Sequence, residues 1–125
     1  MDLIISNADG RPIYEQIATQ VKGLILTGGL RPGDALPSMR TLAKDLRISV
    51  ITTKRAYEEL ENDGYIYSQT GRGSFVAERN PELLREEQLR IIETHLQKAV
   101  DAARLGQLTL SEFLDIATTL FQEES

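Results

Sequence analysis

Residues 47–76 read RISVITTKRAYEELENDGYIYSQTGRGSFV, and the order of signals within them decides the fold. Ser49 is a helix-capping residue type, because its side-chain oxygen can take an otherwise unpaired amide of the first turn. From there Thr53, Ala56, Tyr57 and Leu60 recur at spacings of three and four. A helix with one inward face is therefore expected to run to about Asp63. Gly64 stops it, since glycine accepts the left-handed conformation at a helix end. Two β-like runs follow, residues 65–69 and 74–77, on either side of Thr70-Gly71-Arg72-Gly73, whose glycines permit a tight reversal. The order is helix, strand, basic glycine tip, strand.

Working upstream, Ser38 caps a brief helix with Leu42, Ala43 and Leu46 facing inward, and Arg47-Ile48 makes the turn into the next helix. Before that, a first helix opens at Pro12, a residue suited to the first helical position because its missing N–H would be unpaired there. Ile13, Ile17, Val21, Leu24 and Ile25 form its apolar stripe, and Gly28-Gly29 ends it. Pro32-Gly33 marks a turn, and Ala35-Leu36 is long enough only for a small edge strand. Two short helices in a tight turn, followed by a hairpin, are a winged helix-turn-helix. Such a unit lays its second helix in a DNA groove and its hairpin against neighbouring phosphates.

Bulk composition fits a small soluble protein expected in the cytoplasm. The chain has 125 residues, 41% hydrophobic and 26% charged, and no cysteine for a disulfide framework or a thiolate metal site. Its start lacks the basic, apolar pattern of a signal peptide, and no run approaches the roughly 18 apolar residues that cross a bilayer. The net charge of −5 is unevenly placed. Residues 1–79 balance ten basic against ten acidic side chains, whereas residues 80–125 carry four against nine. Between residues 38 and 55, Arg40, Lys44, Arg47, Lys54 and Arg55 face a single acid, Asp45. A local field of that kind, not the total charge, draws a phosphate backbone to a surface.

Asn80-Pro81 breaks the chain and sets the expected boundary between a DNA-binding domain, 1–79, and a second unit, 80–125. In the latter, Leu89, Ile92, Leu96, Ala99 and Ala103 make a coiled-coil-like seam on one long helix that Gly106 ends. Ser111 is expected to cap a last helix with Phe113, Leu114, Ala117, Leu120 and Phe121 on its apolar face. Two helices cannot enclose that much apolar surface, so an antiparallel two-helix unit that pairs with a second copy is expected. The fold class is thus α+β, mainly α: a winged helix-turn-helix with a two-stranded wing, then a two-helix dimerisation unit.

Several words of the sequence carry a resemblance. They are Pro12-Ile13-Tyr14-Glu15-Gln16-Ile17, Leu30-Arg31-Pro32-Gly33-Asp34, Leu36-Pro37-Ser38-Met39-Arg40, Leu42-Ala43, Arg55-Ala56-Tyr57-Glu58-Glu59-Leu60-Glu61, Gly64-Tyr65-Ile66 and Gly71-Arg72-Gly73-Ser74-Phe75-Val76. Covering residues 12–77 in order, they resemble the GntR family of bacterial transcription regulators, and the chain length resembles its YtrA-like subfamily. The resemblance implies a homodimer on a double-stranded operator with two-fold related half-sites. It also implies repression, often of a nearby ABC-transporter operon, and frequent autoregulation. Many family members have arginine where this chain has Val50 and a polar residue where it has Ile51. Valine and isoleucine can offer a base only apolar contact, for instance to a thymine methyl.

Residue by residue, Arg40 in the first turn of the second helix is placed to meet a phosphate or a guanine edge. Ser49 is a cap, Val50 begins the exposed face, and Thr52 and Lys54 suit phosphate or base contact. Arg55 either joins them, snorkels along the helix, or pairs with Glu59 four residues on. Thr70, Gly71, Arg72 and Gly73 form the wing tip, from which Arg72 can enter a minor groove or grip its phosphates. Tyr65 and Tyr67 are expected to pack on the core. His95, Glu86-Glu87 and Glu123-Glu124 read as solvated or interface residues. No nucleophile–base pair or metal-ligand spacing is present, so neither an enzyme nor a cofactor is expected. About 45 residues follow the wing, too few for the aminotransferase-like domain of MocR-type proteins, whose DNA-binding half is similar. A winged-helix module that binds protein instead of DNA is the alternative. The interface between two copies is the place left for a small-molecule effector, which would act by favouring one arrangement of the two heads.

Overall fold

In the computed structural model, which describes residues 1–78 and 80–123, five helices and one hairpin follow in the expected order. Helix α1 spans Ile13–Thr27. Pro12 stands one position outside it, at φ −56° and ψ 148°, and its carbonyl accepts the Glu15 and Gln16 amides at 3.1 Å each. The helix ends at Gly28 in the left-handed region (φ 84°). Helices α2 (Met39–Leu46) and α3 (Val50–Asn62) are capped by Ser38 and Ser49. The wing pairs β1 (Ile66–Gln69) with β2 (Gly73–Val76) antiparallel, with Ile66 opposite Val76 and Gln69 opposite Gly73. Helices α4 (Pro81–Leu105) and α5 (Leu110–Glu123) complete the chain.

The core of the first unit sits where α1, α2 and the wing close on α3. Ile17, Val21, Ala56, Leu60 and Val76 are wholly buried there. Each large aliphatic side chain so placed contributes about 1.5–3 kcal/mol relative to exposure. Tyr57 lies among them at 2% exposure, and its hydroxyl donates to the Pro37 carbonyl at 2.7 Å. The segment that carries Pro37 is held on its other side by β2. Ala35 bridges Phe75, Leu36 N–H donates to the Ser74 carbonyl, and Val76 N–H to the Asp34 carbonyl, both at 2.9 Å. The expected edge strand is thus a single bridge. The wing is tied back to α3 by Glu61, whose carboxylate accepts the Ser68 amide at 3.2 Å, while the Ser68 and Ser74 hydroxyls meet at 3.1 Å.

The N-terminal arm is fastened by two glutamines of α1. The buried Gln16 amide accepts the Ser6 N–H and donates to the Ser6 and Arg11 carbonyls. One turn on, Gln20 accepts from and donates to the Ile4 backbone. Each side chain stands in for a neighbouring strand.

The chain divides into two compact units, Met1–Leu84 and Arg85–Ser125, so the division falls a few residues past Asn80. Asn80 starts a helix here: its Oδ1 accepts the Glu82 amide at 2.9 Å. Proline is then first in the helix, where it costs nothing. Leu84, 6% exposed, belongs to the core of the first unit.

In the second unit Gly106 does not supply the left-handed residue; Gln107 does (φ 58°). Leu108 N–H reaches the Ala103 carbonyl at 2.9 Å and Gln107 N–H the Arg104 carbonyl at 3.0 Å, closing a Schellman motif. Ser111 lies inside α5 and is not its cap. Thr109 is: its hydroxyl accepts the Glu112 amide at 3.2 Å while the Glu112 carboxylate accepts the Thr109 amide at 2.9 Å. These reciprocal bonds are a capping box, and they hold the Glu112 carboxyl below its usual range. Among the apolar residues of this unit only Val100, Ala103 and Phe113 are even half-buried, and they gather at the corner between the helices. Leu96, Leu114, Leu120 and Phe121 remain 47%, 52%, 61% and 87% exposed. Glu124 lies outside the described residues.

The turn between α2 and α3 repeats the Schellman arrangement around Arg47, at φ 57° and ψ 48°, with Ile48 N–H on the Ala43 carbonyl. A side chain in that region costs about 1 kcal/mol more than glycine. Arg47→Gly is expected to raise unfolding stability by about 0.5–1 kcal/mol in urea titrations. Tyr57→Phe is expected to lower it by about 1–2 kcal/mol, because the Pro37 carbonyl loses its donor. Burial pushes the Tyr57 hydroxyl from 10.0 up to about 12. The folded state therefore resists an ionisation that the unfolded chain accepts, and stability contributed below about pH 10 is lost as pH rises towards about 12. Stability measured across that window falls less steeply in the phenylalanine variant.

Candidate nucleic-acid interface

Helices α2 and α3 begin with the same four-residue device. At Ser38-Met39-Arg40-Thr41, the serine oxygen accepts the Thr41 amide at 3.1 Å, and the two hydroxyls bond at 2.8 Å. At Ser49-Val50-Ile51-Thr52 both distances recur. The cap uses one first-turn amide in each helix. The amides between cap and threonine have no intrahelical acceptor and keep the positive end of the helix open to an anion.

The electrostatics of these two ends differ from those of the other helices. Helices α1, α4 and α5 carry Glu15, Glu82 and Glu112 in their first turns, where an acid complements the helix dipole. Neither α2 nor α3 has an acid there. Each forgoes about 0.3–1 kcal/mol of stabilisation that an exposed carboxylate would add. An acid at either end would repel phosphate.

The basic side chains divide into free and engaged. Arg40 and Lys44, one turn apart on α2, and Arg47 in the turn after it are all exposed, and among the described residues none of the three side chains has a hydrogen-bond or ion-pair partner. Lys54 is exposed beside Glu58 at 4.0 Å, a contact between two solvated groups that costs little to exchange for phosphate. Arg55 is placed otherwise. Its guanidinium lies 3.9 Å from the Tyr14 ring centre and donates to the Tyr14 hydroxyl at 3.2 Å. The expected alternative partner, Glu59, is not the one it takes. Residue 55 points about 100° round the helix from Lys54, on the side where α1 packs.

At the wing tip, Thr70, Gly71, Arg72 and Gly73 are all exposed. The Arg72 amide donates to the Gln69 carbonyl at 2.9 Å, with Gly71 and Gly73 at φ 78° and 108°, conformations that side-chain-bearing residues rarely adopt. The reversal leaves Arg72 projecting from the end of the hairpin. Tyr65 is buried as expected, but Tyr67 is not: it is 39% exposed and stacks on Phe75 with ring centres 5.6 Å apart. Strand alternation explains the difference. Ile66, Ser74 and Val76 take the inward face, so Tyr67 and Phe75 share the outer one, whereas Tyr65 precedes the strand. Among the described residues no group of His, Cys, Asp and Glu could hold a metal ion, and no helix is long and apolar enough to cross a membrane.

Two acid-free helix ends, a set of uncommitted cations and a glycine-tipped basic hairpin define a winged helix-turn-helix DNA-binding protein. Residues 13–76 match the family model described as bacterial regulatory proteins, gntR family. The chain belongs to the GntR family: it is a DNA-binding transcription regulator and not an enzyme. It is 38% identical over 101 residues, 81% of this chain and 78% of the relative, to the HTH-type transcriptional repressor YtrA of Bacillus subtilis (strain 168). Among solved structures, YtrA from Sulfolobus acidocaldarius, a GntR-family transcription factor, is 35% identical with a TM-score of 0.64, covering 77% of this chain and 97% of that one. The AraR DNA-binding domain solved in complex with operator ORX1 is 25% identical with a TM-score of 0.55, covering 62% and 96%.

The different settings of neighbouring cations are separable by experiment. Lys54→Ala is expected to weaken binding to duplex DNA and to reduce the slope of log affinity against log salt by about 1. Arg55→Ala is expected to leave that slope unchanged and to lower thermal stability through loss of the Tyr14 stack. Fluorescence anisotropy over a salt series, with a melting curve for each variant, distinguishes the two.

Proposed function

We propose that the chain is a cytoplasmic, homodimeric repressor of the YtrA type, acting on an operator with two-fold related half-sites near the genes it controls. The observation that carries the proposal is the acid-free first turn of α3, followed directly by the exposed Lys54, together with a wing tipped by Arg72. In this reading α3 enters the major groove. Ser49, Val50, Thr52 and Lys54 then lie at the DNA, Arg40 meets a phosphate or base edge from α2, and Thr70 to Gly73 rest on the adjoining backbone. Repression is supported by the likeness to the Bacillus subtilis repressor YtrA, and the subfamily by the likeness to both YtrA proteins.

The homodimer is supported by the second unit. Leu89, Ile92 and Leu96 on α4, and Leu114, Leu120 and Phe121 on α5, leave apolar surface that their own chain does not cover. Ala99, Ala103, Phe113 and Ala117 complete the expected seam. A second copy of the same unit is complementary to such a surface by symmetry. Two heads so joined read half-sites whose centres are separated by about 10 base pairs, 34–36 Å, or a multiple.

Footprinting on selected duplexes tests DNA binding and two-fold symmetry together; absence of binding to any duplex at low salt defeats the proposal. Leu96→Glu places a charge in the middle of the seam. It is expected to yield monomers in sedimentation and to lose at least tenfold in operator affinity, since each head then binds alone. A dimer that persists in this variant removes α4 from the interface.

A further inference from the structure

Ile51 is 80% exposed, on the second residue of α3, and its neighbour Val50 is 45% exposed. Folding gives no reason for isoleucine at that position. So exposed a side chain buries little apolar area, and alanine is the better helix former. The side-chain hydroxyls beside it are occupied, since those of Ser49 and Thr52 bond to each other and the Thr52 amide is capped; only the Val50 and Ile51 backbone amides are left open. The leading tip of the helix therefore presents aliphatic carbon, with Lys54 three residues on along the same face.

In a major groove that surface has one complement. Guanine offers two acceptors, adenine an acceptor and a donor, and cytosine a donor, whereas thymine adds a C5-methyl group to its single acceptor. Pressed against any of the polar edges, an isoleucine displaces water and returns no hydrogen bond, which is costly. Pressed against the methyl, it buries apolar surface on both sides. Attraction to one base and penalty against the others act in the same direction.

We infer that Ile51 is a specificity-determining residue that reads the C5-methyl group of a thymine in each operator half-site. The inference rests on the proposed entry of α3 into the major groove. It adds what is read there: a T·A pair recognised by apolar contact, at a place where phosphate-gripping residues carry no sequence information.

Thymine and uracil differ only by that methyl and pair identically, so the test is chemical. Duplexes enriched from a random-sequence pool by the full-length protein serve as probe, with each thymine replaced in turn by uracil. At one thymine per half-site, affinity is expected to fall about fourfold, and by roughly the square of that when both half-sites are replaced. Ile51→Ala, whose fold is checked by its melting curve, is expected to bind thymine and uracil duplexes equally. Equal affinity of the unmodified protein for both at every position overturns the inference, and so does a uracil penalty that survives in Ile51→Ala; either leaves DNA binding intact. Failure to enrich or bind any duplex defeats the proposed function and this inference with it.

Discussion

The hydrogen bond from Tyr57 to the Pro37 carbonyl is the joint on which the DNA-binding unit turns. Tyr57 comes from the middle of α3, and Pro37 from the segment that leads into α2. That same segment is hydrogen-bonded to β2 through Asp34 and Leu36, with Ala35 paired to Phe75 between them. One buried hydroxyl thus relates α3, the helix α2 that precedes it and the wing. Glu61 gives a second tie, from the end of α3 to Ser68 on β1. Reading DNA demands that a helix tip and a hairpin tip keep a fixed relation, since a groove and its flanking phosphates are themselves fixed. A core of aliphatic contacts supplies stability without direction; these bonds supply the direction.

The same demand accounts for what the helix ends lack. A cap of aspartate on α2 or α3, with a glutamate in the first turn, would stabilise the isolated unit better than serine and threonine do. α5 shows the chain using such an acid, with the Thr109–Glu112 box. The uncharged Ser-x-x-Thr device meets the capping requirement while leaving the end of the dipole unneutralised. Stability is conceded where an anion is to be received. Arg47 shows a comparable concession, a charged side chain held in a conformation that glycine would occupy more easily.

Most of the first unit was legible in the sequence because its signals are local. Caps at Ser38 and Ser49, the stop at Gly64 and the glycines at 71 and 73 each act within a few residues, and the structure has them all. What was not legible was tertiary. Arg55 has Glu59 at helical spacing, but its partner is Tyr14, 41 residues away. Gln16 and Gln20 look like a polar helix face until the N-terminal arm lies along them. Leu84 follows a proline that marks a break, yet packs back into the first core. The cap of α5 is a different kind of miss. Thr109 and Ser111 are both plausible caps by type, and only Glu112, three residues after Thr109, decides between them; that signal was present and local.

Binding by such a surface divides into two parts with different physics. Under the proposed function, contacts by Lys54, Arg40 and Arg72 to phosphate would release counterions, so they would weaken steeply with salt and scarcely discriminate sequence. An apolar contact by Ile51 would hardly respond to salt and would discriminate strongly for its small size. The acidic second unit, with four basic against nine acidic side chains from residue 80 on, adds nothing to the first part and opposes non-specific adhesion of its own surface to DNA. Its contribution under the proposed dimer is to make two weak, selective readings simultaneous. A fourfold preference at one thymine is trivial alone; squared by symmetry and added to a shared electrostatic grip, it becomes enough to rank one site above its neighbours.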